Sequence, residues 1–127
     1  MPAITSRKYD LEERLIDFAV LIIDLVEGLP PTKAANHLGG QLLRSGTSPA
    51  LNYGEAQAAE SKKDFIHKIR VVLKELRESH ICLRIMARKG LHQDEATIAR
   101  VSAECQELVR IFIASVGTAS GRSSREE

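Results

Sequence analysis

Aromatic residues are scarce: three Phe, two Tyr and no Trp in 127 residues. Sandwiches and barrels lean on aromatic and β-branched side chains, so this composition disfavours them and suits an Ala-, Leu- and Ile-rich helical chain. Cysteine is nearly absent too. Two residues make no disulfide framework, and Cys82 and Cys105 both fall at apolar helical positions, as buried reduced thiols do. Excess charge of one sign is missing. A formal net charge of +1 excludes a uniformly cationic, polyanion-coating protein but leaves a local basic face open. No apolar run is long enough for a bilayer: Phe18 to Val26 is the best candidate, and Asp24 interrupts it. No secretory apolar region precedes Tyr9, so the expected compartment is the cytoplasm.

What is present is helical periodicity on one domain's length of chain. Asp10 with Glu13 reads as a capping box opening a first helix. Its seam is Leu11, Leu15, Phe18, Ile22, Leu25 and Leu29, widened by Ala19, Ile23 and Val26. Gly28 and Pro30-Pro31 end it. Thr32 caps a second segment running towards Ala59, which contains Gly39, Gly40, Gly46 and Pro49. Pro49 lacks an N–H and crowds the Ser45 carbonyl. One kinked helix is expected there, a fresh helix capped by Ser48 being the alternative. Ser61 with Asp64 starts a third helix, with Phe65, Ile69, Val72, Leu76, Ser79, Leu83 and Met86 on its seam and Gly90 at its end. A fourth begins near Gln93 or Asp94, with Ile98, Val101, Cys105, Leu108 and Phe112 inward. No period-2 strand pattern occurs. The expected architecture is an all-α, antiparallel up-down-up-down four-helix bundle over residues 1–117, with a disordered tail over 118–127.

The second segment breaks the apolar rule. Gln41, Ser45, Ser48, Asn52 and Glu55 step by four, three, four and three, the spacing the other segments fill with aliphatic residues. Arg44 lies one turn before Ser48. Lys74, Glu75 and Glu78 of the third helix can meet this seam across an antiparallel pair. A polar seam inside a bundle must be hydrogen-bonded. It serves either as a network fixing register and assembly or as a ligand pocket, and the incomplete reactive constellation favours the network.

Catalytic groupings are missing. A di-iron bundle needs two Glu-x-x-His motifs; the nearest approach is Asp64-x-x-His67, once. His37 and His92 lack metal-ligand spacing. No His lies near Ser45 or Ser48 in sequence, and no phosphate-cradling glycine loop exists. No enzyme, metal, cofactor or small-molecule substrate is expected.

A second stripe is charged. Lys63, His67, Arg70, Lys74 and Arg77 share one face of the third helix, extended by Arg84 and Arg88. The first helix answers with Glu13, Asp17, Asp24 and Glu27. The basic stripe reads as a solvated face, as a subunit contact with that acidic stripe, or as a phosphate-binding surface. It carries no aromatic residue, which disfavours base stacking and sequence-specific RNA reading.

The string from Gln41 to Ser48, then Asn52 and Glu55-Ala56, resembles the signature of the small four helix bundle protein family, whose members include proteins encoded in intervening sequences of 23S ribosomal RNA genes. Ser61-Lys62-Lys63-Asp64-Phe65, Lys68, Leu73-Lys74-Glu75 and Glu78 continue the match, as do Asp10-Leu11, Phe18-Ala19 and Leu29-Pro30. The resemblance implies a four-helix bundle assembled as a homopentameric ring, with no catalytic activity. A related bundle is the accessory protein of diversity-generating retroelements, which binds a reverse transcriptase and nucleic acid. The leading expectation is a non-enzymatic, self-assembling scaffold. The alternative is an accessory protein binding RNA or DNA, with ribosomal RNA or a reverse transcriptase as partner.

Overall fold

Capping side chains set where each helix begins. Asp10, Thr32, Ser61 and Asp94 hold extended backbone, and each side chain accepts a hydrogen bond from an N–H in the first turn that follows. The computed structural model describes residues 10–121. It contains helices α1 (Leu11–Glu27), α2 (Lys33–Gln57), α3 (Lys62–Lys89) and α4 (Glu95–Ala119). Gly90, at φ 69°, ends α3 in the left-handed conformation, and both its N–H and that of Leu91 return to the Met86 carbonyl. No strand occurs among the described residues.

Short loops force consecutive helices to fold back on one another, and the cross-helix pairs give the register. Gly39 lies against Val26 and Leu29, and Gly46 against Ile22, so α1 and α2 run antiparallel. Ser45 meets Ser79 and Glu55 meets Lys68, so α2 and α3 do the same. Arg14 of α1 reaches Glu104 at 2.8 Å and Glu107 at 3.5 Å, closing the circuit onto α4. Each helix therefore packs on its two neighbours, while the diagonal pairs, α1 with α3 and α2 with α4, make no close backbone approach. They meet through side chains, as where Tyr53 sets its ring edge on Phe112 at 5.7 Å.

Leu15, Phe18, Ile22 and Leu25 from α1 interlock with Leu42, Leu76, Leu83, Met86, Leu108 and Phe112, all essentially without solvent exposure. Burial of each such side chain contributes about 1.5–3 kcal/mol. α2 is one helix through Pro49 rather than two. Pro49 is buried, and beyond it Glu55 still meets Lys68 of α3. Two expectations change. Ile23 stands 41% exposed on the outer side of α1 instead of widening its seam. α4 runs through Gly117 to Ala119, past the point where the tail was expected to start; residues 122–127 of that tail lie outside the described residues.

Candidate functional site

The polar seam of α2 separates into four pieces according to depth. Deepest are Ser45 and Ser79, both fully buried, with their hydroxyls 2.8 Å apart. Ser79 Oγ also lies 3.0 Å from the Glu75 carbonyl oxygen. A hydroxyl has one proton, so both are satisfied when Ser79 donates to that carbonyl and Ser45 donates to Ser79. Next outward, the half-exposed Arg44 guanidinium donates to the nearly buried Glu75 carboxylate at 3.1 Å and to Glu78. Asn52 turns onto its own helix, donating to the Ser48 carbonyl at 3.1 Å and the Ser48 hydroxyl at 2.8 Å. Glu55 is exposed and accepts from Lys68 at 2.6 Å.

Gln41 and Lys74 do not join this network: both are exposed, and Lys74 points to the outer face of α3. The spacing put Ser45 and Ser79 on the inward seams of their helices but did not pair them, and gave no sign that Lys68 would hold Glu55. Among the described residues, no buried side-chain N or O atom lacks a hydrogen bond. The buried polar groups of the seam thus satisfy one another across α2 and α3.

Among the described residues no cluster of His, Cys, Asp and Glu could hold a metal ion. Burial pushes the Cys105 thiol up to about 12, and the thiol donates to the Leu76 carbonyl. Burial also raises Cys82, with Glu78 adding to the effect. Both are therefore poor nucleophiles. His80 is lowered, first by burial and then by Arg84. No helix of the described residues is long and apolar enough to cross a membrane.

The outer faces are more distinctive. Lys63, His67, Arg70, Lys74 and Arg77 are all exposed along α3, and so are Arg84 and Arg88. Every acid of α3 lies off this face. Glu75 and Glu78 turn to Arg44, and Asp64 lies on the flank of Lys68, which turns to Glu55. The stripe changes character along its length. Its later half carries Ile81 at 50% and Ile85 at 45% exposure, beside Arg84 and Arg88. Its earlier half exposes no large apolar residue.

On the diagonal helix, α1 exposes Ile16, Val20 at 50% and Ile23 in steps of four and three. Asp17, Asp24 and Glu27 are exposed beside them, and Glu13 is half-buried. Leu43, between Gly39 and Gly46 on the α1 flank of α2, adds to this apolar patch. The protein thus presents an acidic, isoleucine-bearing face and a basic, isoleucine-bearing face on diagonal helices whose backbones do not approach closely.

Known proteins share this architecture. A crystal structure of a protein of unknown function from the S23 ribosomal protein family of Bacteroides thetaiotaomicron superposes with a TM-score of 0.76 at 28% identity, over 83% of this chain and 96% of that one. No curated protein matches the chain. The sequence profile of the 23S rRNA-intervening sequence proteins matches residues 7–114, spanning all four helices, and the chain belongs to that family.

Proposed function

We propose that the protein is a non-enzymatic helical bundle that assembles with copies of itself and works as a binding scaffold. The observation that carries this reading is the pair of complementary outer faces. Ile16, Val20 and Ile23 among the acids of α1 match Ile81 and Ile85 among the arginines of α3 in both polarity and charge. Apolar centres with charged rims are the anatomy of protein–protein contacts. The two faces sit on diagonal helices, so one copy cannot join them internally. A second copy can, and a contact between two different patches propagates into a closed ring when the rotation allows. Family resemblance implies five copies; the faces require only closure. A satisfied interior and unreactive thiols support a binding role over catalysis.

Light scattering on the purified chain tests the reading. The wild type should show a mass several times that of one chain. Val20→Lys adds a cation to an exposed position of the acidic face, away from the core, and should shift the protein to monomer. A wild type that stays monomeric at high concentration overturns the proposal.

A further inference from the structure

The two outer faces carry charge and apolar surface at matching levels. On α1, Glu13, Asp17, Val20, Asp24 and Glu27 step by four, three, four and three; on α3, Lys74, Arg77, Ile81, Arg84 and Arg88 step by three, four, three and four. Each row spans about 21 Å at the helical rise, with one apolar residue at its centre and two like charges on either side. All ten residues are exposed except the half-buried Glu13. With Val20 opposite Ile81, every acid stands within about 1.5 Å of the level of a base. Ile16 and Ile23, a turn to either side of Val20, and Ile85, a turn beyond Ile81, widen the apolar centre. Sliding α1 by one turn sets Asp17 or Asp24 against Ile81 instead.

Both rows read alike from either end, so charge fixes the level and not the direction. Closure fixes the direction. In a ring of three or more copies, neighbours differ by a turn of at most about 120°, and only a half turn reverses a helix. α1 and α3 each run antiparallel to α2 and therefore parallel to one another. Copies standing the same way up thus bring α1 alongside a neighbouring α3 with both running in one direction. Given the self-assembly proposed above, on which this rests, we infer that α1 of one copy lies along α3 of the next in a single parallel register. Val20 meets Ile81 at the centre, Asp17 and Asp24 meet Arg77 and Arg84 around it, and Glu13 and Glu27 meet Lys74 and Arg88 at the ends. The partner is a second copy of this chain, recognised through an apolar centre held between ion pairs. Every copy faces the same way, so the assembly has two unlike ends.

Paired cysteines in the full chain test the register. A disulfide needs its two Cα atoms within about 7 Å. On oxidation, Glu27→Cys with Arg88→Cys should give covalent multimers on a non-reducing gel. Glu27→Cys with Lys74→Cys should give none, because those sites lie about 21 Å apart along the contact. Neither pair can close within one chain, since α1 and α3 make no close backbone approach, and the buried Cys82 and Cys105 should stay reduced. Crosslinking of the Lys74 pair alone would overturn the parallel direction; crosslinking of both pairs, or of neither, would overturn the single register. A charge exchange gives a second reading. Asp24→Arg should lower the mass seen by light scattering, adding Arg84→Asp should restore it, and adding Arg77→Asp should not; the opposite result would mean reversed helices. Wild-type multimers whose variants fail these tests refute the register and leave self-assembly standing, whereas a monomeric wild type removes both.

Discussion

Adding one methyl group at Gly46 probes how closely α1 and α2 are packed. A Cβ at this position would stand 2.6 Å from Cγ1, 2.8 Å from Cγ2 and 3.0 Å from Cδ1 of Ile22. Ile22 is fully buried, and a β-branched side chain in a helix has essentially one χ1 rotamer, so it cannot swing aside. Either the two helices separate or Ile22 leaves its rotamer. Overpacking of this kind costs about 1–3 kcal/mol, and three contacts at or below 3.0 Å with a rigid neighbour argue for the upper end. Against it, replacing Gly with Ala in a helix interior gains about 1 kcal/mol. The net expectation is a loss of about 2 kcal/mol, roughly 8 °C in Tm for a domain of this size. Gly54→Ala is the control, because its Cβ would meet nothing within 4 Å, so that variant should gain stability. Thermal melts followed by circular dichroism read both. In an Ile22→Ala background the penalty of Gly46→Ala should disappear, which isolates the pair. A Gly46→Ala protein as stable as the wild type would refute the close approach.

The buried hydroxyl pair predicts a different pattern. Ser79→Ala leaves Ser45 unsatisfied in the core and should cost about 1–3 kcal/mol in urea titrations, while the double Ser45→Ala, Ser79→Ala variant should recover much of the loss. A double variant worse than the sum would sink the register-lock reading. Glu55→Ala removes only an exposed ion pair, so its melting curve should move far less than that of Ser79→Ala; an equal shift would place Glu55 inside the network. Cys105 predicts a pH effect. The folded state keeps its thiol protonated while the unfolded chain ionises above about pH 8.5, so stability should decline as pH rises beyond that value. Native protein should resist thiol reagents at both cysteines and react fully once unfolded; rapid native labelling would contradict their burial.

Much of the fold is legible because its signals are local. Asp10, Thr32, Ser61 and Asp94 are short polar side chains just before apolar periodicity, and each caps a helix. Gly90 ends α3 because it alone there takes a positive φ. α2 reads less well because its inward residues are small: Gly39, Gly46, Ser45 and Ala56 are buried, and none scores as strongly hydrophobic. The four–three step places Gln41 and Glu55 on the correct flank of α2, yet their long chains carry the polar ends out to solvent. Lys74 steps with both the seam and the basic stripe, and only the packed structure assigns it to the stripe. On α1 the seam spacing picks out Ile22 and leaves Ile16 and Val20 off it, but apolar residues cover so much of the circumference that Ile23, read as widening the seam, lies outside the core. That outer surplus, visible once burial removes the core residues, is what the proposed self-assembly rests on.

The central claim is directional self-assembly, acidic α1 face to basic α3 face, and mixing two broken copies tests it most directly. Val20→Lys disables the α1 face and Ile85→Glu disables the α3 face, each by placing a like charge against its partner surface. Each variant alone should be monomeric by light scattering. Mixed in equal amounts, they retain one intact α1 face and one intact α3 face, and should form a one-to-one dimer and nothing larger. A mixture that stays monomeric, or a single variant that keeps the wild-type mass, would contradict the account.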